Sequence, residues 1–204
     1  STWGDGVPER VQRRAAERLD AQFFAVHARR DRLFSRLMIA QWALSIGVAL
    51  WWSPYAWVGK VHAAHLHVVY ATVVGGLLTL PCLALAHVKP GSPVTRHTIA
   101  VAQMLWAGLL VHLTGGRIES HFGVFGSLAY LAFYRDRRVL ITATATVLLD
   151  HFLRGLFWPE AVYGIANPEW WRFFEHAGWI FFELGVLSVG LSEALAGMRV
   201  AALD

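Results

Sequence analysis

Cysteine is nearly absent from the chain, and charge is scarce. The single cysteine, Cys82, excludes a disulfide framework and any metal site built from cysteine alone. Charged residues make up 16% of the 204, against about 25% in a typical soluble domain. With 56% hydrophobic residues and ten tryptophans, that shortage excludes an ordinary soluble domain and a disordered chain alike. No glycine-rich phosphate loop, internal repeat, low-complexity tract or soluble catalytic module is visible. The net charge of +4 reads as a topological signal, and no nucleic-acid partner is expected.

The charges present are unevenly placed. Residues 1–36 carry 13 of the 32, and the remainder of the chain is apolar enough to require a lipid bilayer as its partner. A membrane-spanning helix needs about 20 apolar residues, because the hydrocarbon core is about 30 Å thick and a helix rises about 1.5 Å per residue. Arg36 to Lys60 encloses 23 uncharged residues and Lys60 to Lys89 encloses 28. Further spans are expected at His97–Gly116, His121–Tyr134, Val139–Trp158 and His176–Val200, the fourth of them short. The fold class expected is therefore all-α, a six-transmembrane-helix bundle over residues 37–200. Residues 1–36 are expected to form a cytoplasmic N-terminal amphipathic helix, with Phe23, Phe24, Val26 and Phe34 available to lie on the membrane surface, and residues 201–204 to begin a cytoplasmic extension.

Lys and Arg are enriched in cytoplasmic loops, so counting them orients the chain. With the N-terminus inside, 14 basic residues fall inside and three (Lys60, Arg117 and Arg172) outside. Both termini are thus expected in the cytoplasm of a bacterial inner membrane.

That orientation places seven of the ten histidines, His62, His65, His67, His112, His121, His151 and His176, in the outer half of the bilayer or just beyond it. His67, His151 with Asp150, and Glu183 share a level roughly 9–12 Å in, with His65, His112, His121 and His176 on a shallower one. Ionisable groups inside a span cost several kcal/mol, on the order of 3, unless paired or coordinated, so each is a candidate functional group. Imidazoles with carboxylates suit a transition metal. The candidate ligands are His65, His112, Glu119, His121, Asp150, His151, His176 and Glu183, enough for a dinuclear centre. His67 lies about 200° round the helix from His65, so one of the two is expected to face elsewhere. Asp150 can equally pair with Arg154 at i,i+4, and Glu119 with Arg117.

The run Gly115-Gly116-Arg117-Ile118-Glu119-Ser120-His121-Phe122, the phenylalanine-rich helix ending Tyr134-Arg135-Asp136, then Asp150-His151 and Pro159-Glu160-Ala161-Val162-Tyr163, resembles the multi-helix membrane sensory domains that precede histidine kinase, diguanylate cyclase or chemoreceptor modules in bacteria. The resemblance covers residues 97–185, and the glycine pair with Glu-x-His is its most specific part. In that family the position of Asp150 is often a second histidine, and this chain departs from it there. The resemblance implies a sensory input domain that binds metal, with a signalling module attached beyond residue 204. Copper, as two ions, is the expected cofactor, sensing dioxygen, redox state or the metal itself, with iron, zinc or haem b as alternatives. A homodimer is expected, and enzyme activity is not. The competing functions are a b-type haem electron-transfer protein, a dinuclear metal oxidase, and a transporter or structural membrane protein whose polar pairs only pack.

Overall fold

The computed structural model describes residues 8–52, 55–58 and 61–202, with backbone alone for 55–58 and 61–64. Residues 1–7, Lys60 and residues 203–204 of the expected extension lie outside the described residues, as does the side chain of His62. The architecture is helical: α1 (Glu9–Trp52), α2 (Leu66–Val88), α3 (Pro93–Leu113), α4 (Ile118–Leu131), α5 (Arg137–Phe157), the one-turn α6 (Glu160–Tyr163) and α7 (Arg172–Ala201). A short antiparallel hairpin, β1 (Tyr55–Val58) with β2 (Val61–Ala64), joins α1 to α2, pairing Tyr55 with Ala64 and Trp57 with His62.

Among the described residues five helices, α1, α2, α3, α5 and α7, are long and apolar enough to cross a membrane. The fourth expected span differs: α4 has 14 residues and ends in a 3-10 turn at Ala132–Tyr134. At about 1.5 Å per residue it rises about 21 Å, short of a hydrocarbon core of about 30 Å. The charged N-terminal residues and the first apolar stretch form one continuous 44-residue helix, with no break at Arg36.

Burial distinguishes the helices. Twelve residues of α3 are buried, including Ile99, Met104, Trp106 and Val111, whereas α7 buries only Ala177, Ile180 and Leu191. α3 is the central post, and α7 presents Phe174, Trp179, Phe181, Phe182, Val186 and Val189 outward. Such a surface is costly in water and ordinary against lipid tails. Interhelical hydrogen bonds add cohesion inside the bundle: Gln103 donates to Ser127 Oγ at 3.0 Å, and His97 Nδ1 lies 2.8 Å from Thr142 Oγ1.

At the end where α1, α3 and α5 carry their arginines, a buried polar network ties four segments together. Tyr134 Oη donates to Asp31 Oδ1 at 2.8 Å, the Gly91 N–H to Asp31 Oδ2 at 2.6 Å, and Arg96 Nε to Asp136 Oδ2 at 2.8 Å. Phe34 stacks on Tyr134 with ring centroids 5.2 Å apart and is fully buried. It therefore does not lie on the membrane surface; its position on α1 faces the 3-10 turn, and an aromatic ring is better satisfied there than at an interface. Phe23 is half-buried beside the cluster of Ala15, Leu19 and Ala202, which joins the start of α1 to the end of α7. Phe24 remains exposed.

Candidate metal centre

Two groups of histidines form at the opposite end of the bundle. The first joins α4, α5 and α7. His121 sits in the first turn of α4, and its Nδ1 donates to the carbonyl of Arg117 at 2.9 Å. His176 repeats the arrangement on α7, with Nδ1 donating to the carbonyl of Arg172 at 2.9 Å. A carbonyl only accepts, so in each ring Nδ1 carries the proton and Nε2 keeps its lone pair. The His121 Nε2 is buried without a partner. The two ring centroids lie 5.3 Å apart, and the buried His151 of α5 is third, 5.6 Å from His121 and 6.5 Å from His176. These three line a cavity of about 310 Å³ together with Glu175 and Arg172.

A metal about 2.0–2.1 Å from an imidazole nitrogen lies about 3.2 Å from the ring centroid, so rings sharing one tetrahedral ion sit about 5 Å apart. His121 with His176 meets that spacing, and His151 stands about 1 Å too far from His176. Accordingly, among the described residues no group of three or more His, Cys, Asp and Glu side chains converges closely enough to hold a metal ion as it stands. The donor chemistry nevertheless suits one. A ligating histidine typically anchors its other ring nitrogen on a carbonyl or carboxylate, and both His121 and His176 are anchored in this way.

His151 is held by its neighbour. Its Nδ1 lies 3.2 Å from Asp150 Oδ2, a contact without the alignment of a hydrogen bond. Asp150 in turn is gripped by the guanidinium of Arg154, through Nε to Oδ1 at 2.9 Å and through Nη2 to Oδ2. Arg154 Nη1 also donates to the carbonyl of Gly108 at 3.1 Å. A Cβ at Gly108 would stand 2.7 Å from Arg154 Nη2 and 2.9 Å from Asp150 Oδ2, so a side chain there would make the ion pair shift.

The second histidine group belongs to α2 and α3. The His67 ring lies 4.4 Å from that of His65 and 5.3 Å from that of His112, and Tyr70 lies 5.5 Å from His112. His67 and His65 therefore meet, contrary to the 200° expectation. His65 precedes the helix in extended conformation as its N-cap, so helical phase does not govern it. Its Nδ1 accepts from the His67 N–H at 3.1 Å, which places its proton on Nε2 and leaves no free lone pair on the neutral ring. His67 Nδ1 and His112 Nε2 are buried without partners. Asp150 and Arg154 share a cavity of about 360 Å³ with His112 and Tyr70, so this ion pair lies between the two groups.

The remaining candidates separate. Glu183, one of whose oxygens is buried without a partner, lines a groove of about 610 Å³ with His121, Phe122, Trp179 and Phe182. Glu119 faces away: its side chain is 65% exposed and takes bonds from Arg117 at 3.3 and 3.4 Å. Those bonds hold its carboxyl below the usual glutamate range. His67, Glu175 and Tyr163, whose ring lies 5.4 Å from that of His176, join the neighbourhood without having been chosen from the sequence. Glu175 adjoins His176 in sequence, and that adjacency was the available signal.

The turn before α4 is fixed by glycine geometry. Gly115 and Gly116 have φ of 71° and 73°. A Cβ at Gly116 would meet Glu160 O at 2.8 Å and Gly164 Cα at 2.9 Å. The α3–α4 turn is thereby seated on the end of α6, and His112 and His121 emerge from its two sides.

No family model matches the chain, and no solved structure matches it. The transducer protein Htr8 of Halobacterium salinarum is 31% identical over 117 residues, an alignment covering 55% of this chain. The same alignment covers 17% of that relative, so this chain spans less than a fifth of its length. The likeness fits a role in sensory signal transduction, and the five long apolar helices fit a membrane protein.

Proposed function

We propose that the chain is the membrane-embedded sensory part of a prokaryotic signal-transduction protein and that it senses through a metal held by His121, His151 and His176. The observation that carries this reading is the paired anchoring of His121 and His176, each with Nδ1 on a carbonyl four residues back and Nε2 left for a ligand. Copper, as two ions, is the favoured occupant, with His67 and His112 of the second group offering the unpartnered nitrogens for the second ion. When bound, such a metal supplies a charge that responds to dioxygen, to redox state or to metal supply. Asp150 lies against His151, and Arg154 fixes Asp150 against α3. The likeness to a transducer supports the sensory part of the proposal. By the positive-inside rule the site faces the outside and both termini the cytoplasm.

His176 lies near the start of α7, the least buried of the long helices, so a shift of that ring is carried along a helix with few packing restraints. A signalling module attached beyond α7 would receive it, and a homodimer is the symmetric arrangement for such a receptor. The test is the signalling output of the full-length receptor, with and without a membrane-permeant chelator, in the parent and in His176→Ala. The proposal expects the chelator and the substitution to lock the output in one state. An output unaffected by both overturns it.

A further inference from the structure

Four arginines converge on one cleft at the other end of the bundle. Arg135 from the end of the 3-10 turn, Arg137 and Arg138 from the start of α5, and Arg199 from the end of α7 line a space of about 490 Å³ with Phe23, Leu195 and Ser192. Among the described residues none of the four has a carboxylate partner. Arg137 reaches the Ser192 hydroxyl, and Arg135 Nη1 lies 2.7 Å from the thioether sulfur of Met198, a weak acceptor for a guanidinium. The one acid in the wall, Asp136, is committed: Oδ2 accepts from Arg96 and Oδ1 from the Arg138 N–H at 2.9 Å. This differs from the Arg29–Arg36 run, whose members all belong to the single helix α1, with Arg30 lying over the Phe133 ring at 5.2 Å. An ordinary topological anchor needs basic residues near the membrane, and it does not need them gathered from two helices around a cavity.

We infer that this cleft binds a phosphate group, the class of ligand being the headgroup of an anionic phospholipid or a soluble phosphate. Guanidinium forks match phosphate oxygens bidentately, and basic pockets between membrane helices are suited to anionic headgroups. Phe23 and Leu195 give the cleft an apolar wall against which an acyl or glycerol portion can lie. Occupancy would join α1, α5 and the end of α7 through one ligand, at the helix end farthest from His176. The inference does not depend on the metal reading, because it involves none of the same residues.

The experiment uses the full chain in detergent and reads its thermal-melting midpoint against three probes: dihexanoyl phosphatidylglycerol, dihexanoyl phosphatidylcholine and inorganic phosphate. The phosphatidylglycerol probe is expected to raise the midpoint saturably, and phosphatidylcholine is not. In the double variant Arg137→Gln, Arg199→Gln the half-saturating concentration is expected to rise roughly 25-fold, since each arginine contributes about a factor of five. The charge-matched control Arg10→Gln, Arg14→Gln is expected to behave as the parent. Stabilisation by phosphate, with competition against the lipid, assigns a soluble source; a lipid effect that phosphate does not reproduce assigns the headgroup. The inference is overturned if neither anion shifts the midpoint. It is equally overturned if the double variant, folded by circular dichroism, saturates at the parent's concentration.

Discussion

His121 and His176 face one another across the α4–α7 boundary with ring centroids 5.3 Å apart, each held by a carbonyl one helical turn earlier in its own chain segment. The two rings are thereby prepared by separate helices to offer the same nitrogen to the same space. His151 stands about 1 Å farther from His176 than a shared ion allows, with its Nδ1 3.2 Å from Asp150 Oδ2.

Asp150 and Arg154 are the first place to test the energetics. Their side chains are 12% and 18% exposed, so the pair is largely withdrawn from solvent. Asp150→Asn leaves the guanidinium without its counter-charge and is expected to destabilise the protein by about 3 kcal/mol, measured by thermal or denaturant unfolding in mixed micelles. The double variant Asp150→Asn, Arg154→Gln is expected to recover a substantial part of the loss. Additive losses would show that the two side chains act separately.

Gly115 and Gly116 share a backbone conformation but not their surroundings. Gly115→Ala meets nothing within 4 Å and is expected to cost about 1 kcal/mol from its positive φ alone. Gly116→Ala adds a collision with the backbone of Glu160 and Gly164, and is expected to cost about 3 kcal/mol or more and to loosen the seating of the turn on α6. Comparing the two unfolding midpoints separates strain from contact.

The helices were legible in the sequence because a bilayer fixes how long an apolar run must be, and α2, α3, α5 and α7 lie close to the expected spans. Two features were less so. The continuity of α1 is hidden because charge density changes at Arg36 while helix propensity does not. α4 reads as short in the sequence too, but its apolar content equals that of a span, so composition counts it as one although its 14 residues do not reach across. For the site, depth along each helix anticipates that His65, His67, His112, His121, His151 and His176 gather at one end. Depth cannot say which helices are neighbours, so one expected cluster became two, with His65 and His67 alongside His112 and a separate set of His121, His151 and His176. His65 was chosen over His67 by helical phase, and a residue that caps a helix has none.

That distinction gives a third expectation. His65→Ala removes the acceptor for the His67 N–H and is expected to cost about 1 kcal/mol in stability, with little change in metal content. His67→Ala removes a nitrogen that has no other partner and is expected to lower metal content while leaving α2 intact. Elemental analysis of both variants alongside unfolding curves tells these outcomes apart. Glu119→Gln is expected to change neither, because that carboxylate is exposed and engaged by Arg117.

At the opposite end, Tyr134→Phe deletes the hydroxyl that donates to Asp31 and leaves a buried carboxylate oxygen short of one partner. The expected cost is about 1–3 kcal/mol. Because the same network holds the turn at Gly91, faster amide exchange at the α2–α3 turn should accompany it, read by hydrogen–deuterium exchange.

The most direct test of the metal reading is elemental analysis with an optical spectrum on the protein purified after metal-replete expression, repeated on His121→Ala, His151→Ala and His176→Ala. The account predicts near-stoichiometric copper or another transition metal in the parent and loss of at least one equivalent in each folded variant. A parent without bound metal would contradict it, as would metal retained in full by all three variants; a Soret band would replace direct metal ligation with haem.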